Sequence, residues 1–170
     1  QSTRNYLRKV FKNDGLIISK QIKKKIKDNE EEAAKYRDYF DFSELIKKSA
    51  AHRMLAIRRG ESEGFLSVHV KPDDEDYVIN SVARKYINSA GEAAKQINLA
   101  AEDSYKRLLQ PAIENETKAL FKEKADEESI IVFTENLRQL LLSPPLGRKS
   151  VMAIDPGYRT GCKVVCLNEH

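Results

Sequence analysis

Apolar side chains recur every three or four residues along most of the first 143 positions, which predicts helices. The segment 3–14 carries such a face and is followed by Gly15, a candidate helix C-cap. Behind it, Ile18, Ile22 and Ile26 recur every fourth residue among lysines. A helix fits this spacing, although "LIIS" taken alone could be extended.

Two further helices are indicated before Gly60. The acidic triple at 30–32 suits a first helical turn, because the helix dipole favours negative charge there. Asp41 and Ser43 are typical cap residues, and the sequence behind them predicts a helix with a break near Ser49. Gly60 is expected to end that helix.

The hydrophobic period changes from helical to alternating at two places. "FLSVHV" (65–70) alternates buried-type and polar side chains and predicts one short early strand, with a helix after Pro72 through Val78 and Val82. At the C-terminus, "VMAIDPGYRTGCKVVCL" breaks an apolar run with an Asp-Pro-Gly turn. This pattern predicts a β-hairpin.

The longest helical pattern covers 90–125. Ser89 and Glu92 have the spacing of a capping box at its start. Pro111 lies inside it and should kink or split the helix, because it lacks an amide donor. "EESIIVFTENLRQLLLS" predicts a further helix, although its Ile-Ile-Val triple alone would favour a strand.

Pro144, Pro145 and Gly147 interrupt these patterns and mark the predicted domain boundary. Residues 1–143 form a helical region, and 144–170 form a linker and a hairpin. The predicted fold class is mainly α. It comprises a multi-helical domain with one long central helix, a short early strand and a C-terminal β-hairpin.

Composition limits the function only loosely. The net charge is +4, from 30 Lys and Arg against 26 Asp and Glu, which allows a nucleic-acid partner without requiring one. We expect a cytoplasmic protein with no membrane partner, since no apolar run could cross a bilayer and no signal peptide follows Gln1. Cys162 and Cys166 would lie roughly 13 Å apart on one strand. They are expected to be reduced thiols, because that separation is too long for a disulfide.

Several motifs together resemble one protein family. "RDYFDFSE", "SPPLG" and "DPGYRTGCK" occur in the order found in the bacterial Tex family of transcription accessory proteins, and the likeness runs from Tyr6 to Leu167. The resemblance implies a multidomain nucleic-acid-binding protein. Its expected parts are a helix-turn-helix-like portion, a long central helix, a YqgF-type RNase H-like domain, a helix-hairpin-helix region and a C-terminal OB-fold that binds RNA.

On this resemblance the chain is the middle piece of a longer protein. Residues 90–125 would supply the long helix, and 150–167 would supply the first hairpin of a truncated RNase H-like fold. In RNase H-like nucleases an Asp on that strand helps to hold divalent metal, which makes Asp155 the only candidate metal ligand here. Two-metal phosphoryl chemistry needs several converging carboxylates. We therefore predict no enzyme activity, no catalytic residue and no cofactor for this chain.

The basic residues form two groups that could contact phosphate. The first group is the densest positive run of the chain and consists of Lys20, Lys23, Lys24, Lys25 and Lys27. The alternative for it is the solvated face of a helix. The second group consists of Arg53, Arg58 and Arg59, for which ion pairs with Glu61 and Glu63 are the favoured alternative.

Other candidates have simpler explanations. His52 and His69 lack partners at metal-ligand spacing and are expected to be structural or surface residues. The aromatic residues at 36–42 could stack on bases, but their helical spacing favours core packing.

Three functions follow from these features. The first is an RNA- or DNA-binding transcription accessory factor, in which this chain is a helical scaffold with non-sequence-specific phosphate contacts. The alternative is an RNase H- or RuvC-like metal-dependent nuclease whose remaining acids lie beyond His170. The third is a connector that docks on the transcription machinery or on other domains of its parent protein. An exposed hairpin could also pair with a second copy to give a dimer.

Overall fold

The computed structural model describes residues 1–87, 91–157 and 161–170. These residues form two compact units, Gln1–Val132 and Phe133–His170. The division lies ahead of the Pro-Pro segment. The boundary predicted at 143/144 concerns the domains of the whole protein and stays a prediction.

The mainly α fold class is confirmed. Helices α1 to α7 span Ser2–Asp14, Lys23–Asp28, Glu30–Ala33, Ala51–Ser62, Glu75–Ala83, Glu92–Ser104 and Gln110–Leu141. Strands β1 to β5 span Gly15–Gln21, Asp41–Leu45, Leu66–Pro72, Val151–Pro156 and Cys162–Leu167. Two 3₁₀ segments span Ala34–Tyr39 and Ile46–Lys48, and a π segment spans Tyr105–Leu109. Within the described ranges, none of the helices combines the length and apolar character that crossing a bilayer requires.

The early strand is not alone, which corrects the sequence prediction. The first unit contains a three-stranded antiparallel sheet in the order β2-β1-β3. The helix predicted over Ile18–Ile26 is therefore wrong in its first half, since β1 occupies the centre of the sheet. The caps predicted at Asp41 and Ser43 are also wrong, because both residues belong to β2.

Two glycines mark close approaches of the chain. Gly15 is confirmed as the residue that caps α1, and it does so in extended conformation while it also begins β1. Its amide donates to the carbonyl of Phe11, and a β-carbon at Gly15 would collide with that carbonyl oxygen. Gly60 was expected to end a helix, but α4 continues through it to Ser62. The predicted break near Ser49 is confirmed, because α4 begins only at Ala51.

The core of the first unit lies between the sheet and the helices around it. Leu7 and Phe11 on α1, Ile17 on β1, Val70 on β3 and Ile113 on α7 are all fully buried in one cluster. Because these residues come from distant parts of the chain, the sheet and α7 form one hydrophobic core.

Helix α7 covers the free edge of β3. The Glu114 carboxylate accepts the outward amide of Val70 at 3.1 Å, and Lys118 Nζ donates to the carbonyl of Val68. Glu114 and Lys118 are about 6 Å apart along the helix axis, and Val70 and Val68 are about 6.6 Å apart along the strand. The spacing of the two side chains therefore matches that of the two backbone groups. Glu114 and Lys118 also pair with each other at 3.1 Å, and Lys118 pairs with Glu61 on α4 at 3.3 Å.

The long helical pattern is confirmed, with one change of winding. The π segment Tyr105–Leu109 separates α6 from α7, and it ends just before Pro111. Pro111 has no amide to donate to the preceding turn, and the interruption predicted there takes the form of this π segment. The expected further helix at 127–143 is a continuation of α7 to Leu141. Ser89 of the predicted capping box lies outside the described residues, and α6 begins at Glu92.

The second unit contains the predicted hairpin. β4 and β5 pair antiparallel, with Asp155 opposite Lys163 and Ala153 opposite Val165. Cross-strand partners share a face of the hairpin. One face therefore carries Val165, and the other carries Ile154 opposite Val164. Both faces expose apolar side chains, a pattern typical of strands that are covered on both sides.

Candidate nucleic-acid interface

The first lysine group lies on a segment that is fixed to the core at its start. Lys20 is near the end of β1, and the other four lysines lie on α2. The amide of Gln21 donates to the carbonyl of Phe40, and the amide of Ile22 donates to that of Phe65, both at 2.9 Å. Ile26 packs against the core beneath α2. We call these five residues, Lys20, Lys23, Lys24, Lys25 and Lys27, the lysine cluster.

The lysine cluster is exposed and forms no ion pair within the described ranges, although Asp28 and the acidic residues 30–32 follow it directly in the chain. All five side chains are exposed, and none forms an ion pair with a residue that the structure describes. Some other surface lysines do pair with carboxylates. Lys106 pairs with Glu102 at 2.6 Å, and Lys95 pairs with Glu92 at 3.1 Å. The lysine cluster is therefore free to meet an external anion.

One carboxylate near the lysine cluster is already occupied. Lys25 lies beside the turn after α4, since a β-carbon on Gly64 would stand 4.0 Å from Lys25 Cε. The neighbouring Glu63 pairs with Lys35 at 2.8 Å. The hydrogen bond from Lys35 holds the pKa of the Glu63 carboxyl below its usual range, and the same bond raises the pKa of Lys35. Glu63 is thus ionised at neutral pH and engaged by Lys35.

The arginine group is not brought together as one surface. Arg53 on α4 donates to Glu44 on β2 at 2.8 Å, which ties the helix to the edge strand. Arg58 pairs with Glu61, as the sequence indicated, and Glu61 also holds Lys118. Arg59 is exposed and lies close enough to lower the pKa of the Glu63 carboxyl further. Of the three arginines, Arg59 is the one most available to a ligand.

The aromatic residues of this region pack inside the protein. Tyr36 is buried with its ring centroid 5.8 Å from that of Phe65. Tyr39 and Phe42 form an edge-to-face pair at 5.6 Å, and both pack on the core. The preference for core packing over base stacking is confirmed for these residues.

The hairpin places Asp155 opposite a cation and not beside another acid. Its cross-strand partner is Lys163, and its side chain is exposed. Among the residues that the structure describes, no group of three or more His, Cys, Asp or Glu side chains could hold a metal ion. Cys162 and Cys166 are free and exposed on β5. The predicted role of Asp155 in a larger site stays a prediction.

Sequence reasoning missed the ionic network under α7. His69 Nδ1 lies 3.3 Å from Glu114, so His69 joins Glu114, Lys118, Glu61 and Arg58 in one network across three elements. The Glu–Lys spacing of four residues on α7 was visible in the sequence. It was not distinctive, because many exposed helical pairs share it.

Comparisons with known proteins agree with the motifs. Residues 2–133 match the family model described as Tex central region-like. The chain is 43% identical over 135 residues to the uncharacterized protein YdcI of Bacillus subtilis, covering 79% of this chain and 19% of that protein.

Two further relatives have informative names. The chain is 34% identical over 151 residues to the transcriptional accessory protein Tex of Neisseria gonorrhoeae, covering 85% of this chain and 20% of that protein. It is 34% identical over 157 residues to the human S1 RNA-binding domain-containing protein 1, covering 89% of this chain and 16% of that protein. The chain thus spans 16–20% of the length of these relatives. With its match to the central-region model over residues 2–133, the chain belongs to the Tex family.

Proposed function

We propose that this chain is the helical scaffold of a nucleic-acid-binding transcription accessory factor, and that the lysine cluster contacts phosphates without reading sequence. The observation that carries the proposal is the lysine cluster itself, five exposed and unpaired cations on a segment anchored by two backbone hydrogen bonds. Contacts from lysines to phosphates supply most non-specific affinity for nucleic acid. The names of two relatives, a transcriptional accessory protein and an S1 RNA-binding domain-containing protein, support the same class.

The partners follow from the surfaces. RNA or DNA would bind through phosphates, and the transcription machinery and other domains of the parent protein would cover the apolar surfaces. The hairpin leaves Met152, Ile154 and Leu167 more than half exposed, which supports its role as the start of an RNase H-like sheet that other strands and helices complete.

A binding titration tests the lysine cluster. Fluorescence anisotropy with a labelled RNA at low salt should show weak binding that falls steeply as salt increases. Changing all five residues of the lysine cluster to Gln should abolish it. A matched control changes five other cations to Gln, each of which already pairs with a carboxylate: Lys95, Lys106, Arg107, Lys122 and Lys124. Both variants lower the formal net charge from +4 by five units.

The two variants separate a local site from overall charge. If both lose binding equally, only net charge matters and the lysine cluster is not a site. If the unaltered chain does not bind at all, this region is a connector without a nucleic-acid contact of its own.

We propose that the chain has no nuclease activity. A two-metal phosphoryl transfer needs carboxylates converging on ions about 4 Å apart. The cross-strand neighbour of Asp155 is Lys163, which would repel a divalent ion. Incubation with labelled RNA and DNA in Mg²⁺ or Mn²⁺ should therefore leave both intact. Cleavage that disappears in Asp155→Asn would contradict this proposal and favour the nuclease alternative.

A further inference from the structure

We propose that the lysine cluster prefers the phosphate backbone of a nucleic-acid duplex to a single strand. This inference rests on the proposed function and names its substrate class. It rests on two properties of the site, which are the lack of exposed stacking side chains and the rigidity of α2. It also rests on one property of the nucleic acid, its charge density.

No exposed aromatic ring accompanies the lysine cluster in the described part of the chain. The aromatic side chains that are exposed there are Tyr77, Tyr86 and Phe133, which lie on or after α5 and on α7. Phe65, whose carbonyl anchors α2, is buried, and Phe40 packs against the core. Proteins that hold single strands gain about 1–3 kcal/mol per base from stacking on such rings. A single strand on this surface would gain phosphate contacts alone.

Phosphate contacts alone favour a duplex. Duplex DNA carries one negative charge per about 1.7 Å of helix axis, and binding releases about 0.9 counterion per phosphate neutralised, against about 0.7 for single strands. With five lysines, the salt dependence on a duplex has a slope of at most about −4.5, and that on a single strand at most about −3.5. A surface that binds by counterion release therefore gains more from the duplex.

The rigidity of the segment acts in the same direction. The start of α2 is fixed by the Gln21 and Ile22 amides, and Ile26 packs its middle against the core. The six residues of α2 span about 9 Å and fix the backbone positions of four of the lysines on one short helix. A regular array of duplex phosphates can meet a fixed frame. A flexible strand must first be ordered, which costs conformational entropy.

The experiment compares three probes with the same chain. These are a labelled 20-base-pair DNA duplex, one of its strands chosen to be free of self-pairing, and a poly-glutamate peptide. Anisotropy titrations are repeated over a series of salt concentrations. We expect the duplex to bind at least about fivefold more tightly than the single strand, which exceeds the twofold gain from its second strand, and to show the steeper salt slope. The five-Gln variant of the lysine cluster should lose this preference, whereas the paired-cation control should keep it.

The outcomes distinguish this inference from the proposed function. Single-strand affinity equal to or above duplex affinity, lost in the five-Gln variant, overturns the duplex preference and leaves the phosphate-binding function intact. No binding to either the duplex or the single strand overturns both. Poly-glutamate affinity matching that of the duplex also overturns the inference, because the lysine cluster would then be a site for acidic peptides.

Discussion

Gly60 on α4 lies directly against Leu66 on β3, because a β-carbon at position 60 would stand 2.6 Å from Leu66 Cδ1. The same β-carbon would lie 3.1 Å from Tyr36 Cδ1. Both neighbours are buried, so neither side chain has free space to move into. The glycine thus sets how closely α4 approaches the sheet.

Gly60→Ala should destabilise the protein by about 1–3 kcal/mol, since overpacking a core forces neighbours out of their preferred rotamers. The sign is informative because alanine inside a helix is normally favoured over glycine by about 1 kcal/mol. Urea unfolding followed by circular dichroism measures the change. Ser62→Ala, at an exposed position of the same helix, is the control and should alter stability by less than about 0.5 kcal/mol. A more stable Gly60→Ala protein would contradict the close approach.

Lys118→Met should lower the free energy of unfolding by about 3 kcal/mol, because breaking a largely buried ion pair leaves its partners without counter-charge. The Lys118 and Glu114 side chains are only 11% and 12% exposed, and the substitution would also free the carbonyl of Val68. Lys124→Met on the same helix is a matched control. Lys124 also pairs four residues along, with Glu128, but its side chain is 61% exposed. Its loss should cost less than about 1 kcal/mol. Equal effects of the two substitutions would show that α7 does not depend on this network.

Acid should weaken the link between α1 and α7. Arg8 binds Glu116 through two nitrogens, at 2.6 and 3.1 Å, and these hydrogen bonds hold the pKa of the Glu116 carboxyl below its usual range. A carboxyl with a lowered folded-state pKa stabilises the protein above its unfolded-state pKa. That contribution is lost as the pH falls through the folded-state value. Thermal melts of the unaltered chain and of Glu116→Gln should therefore differ most near pH 7 and converge in acid.

A control for the Glu116→Gln melts is an ion pair that does not join two distant elements. Asp103 pairs with Arg107 in the next helical turn, and the hydrogen bond from Arg107 lowers the pKa of the Asp103 carboxyl as well. Asp103→Asn should give a smaller difference at neutral pH, because that pair is local to one helix. A constant gap between the unaltered chain and Glu116→Gln from pH 7 to pH 3 would show that its charge contributes nothing.

The hairpin should make the chain self-associate reversibly. Its exposed apolar faces and unpaired strand edges can pair with a second copy. Analytical ultracentrifugation should detect a dimer that disappears when residues 148–170 are deleted. Lys163→Gln keeps the apolar faces and should keep the dimer. A dimer that persists after the deletion would place the contact elsewhere.

Helices with a continuous apolar face could be predicted from the sequence, and the sheet could be predicted only in part. The strand over Leu66–Pro72 alternates apolar and polar residues, which is a local signal. β1 has no such signal, because Ile18, Ile22 and Ile26 imitate a helical period. Its extended form depends on pairing with Asp41–Leu45 and Leu66–Pro72, which are distant in sequence. Pairing of this kind overrides local propensity.

The candidate site, like the fold, could be predicted from the sequence only in part. The lysine cluster lies within the short segment 20–27, so its position could be read directly from the sequence. The ion-pair partners of the arginines could not be predicted in this way, because Arg53 pairs with Glu44 from another element. Likewise, Lys118 looks like an ordinary surface lysine until the fold places the Val68 carbonyl beside it.

The closure of β3 by α7 has a consequence for solubility. Sheets polymerise when an open row of backbone donors and acceptors recruits a strand from another molecule. On the β3 side, Glu114 and Lys118 already occupy the amide of Val70 and the carbonyl of Val68, so an incoming strand would have to displace a largely buried ion pair. On the three-stranded sheet, β2 is thus the edge at which a strand from another molecule can add. Displacing α7 would expose the β3 edge as a second site of aggregation.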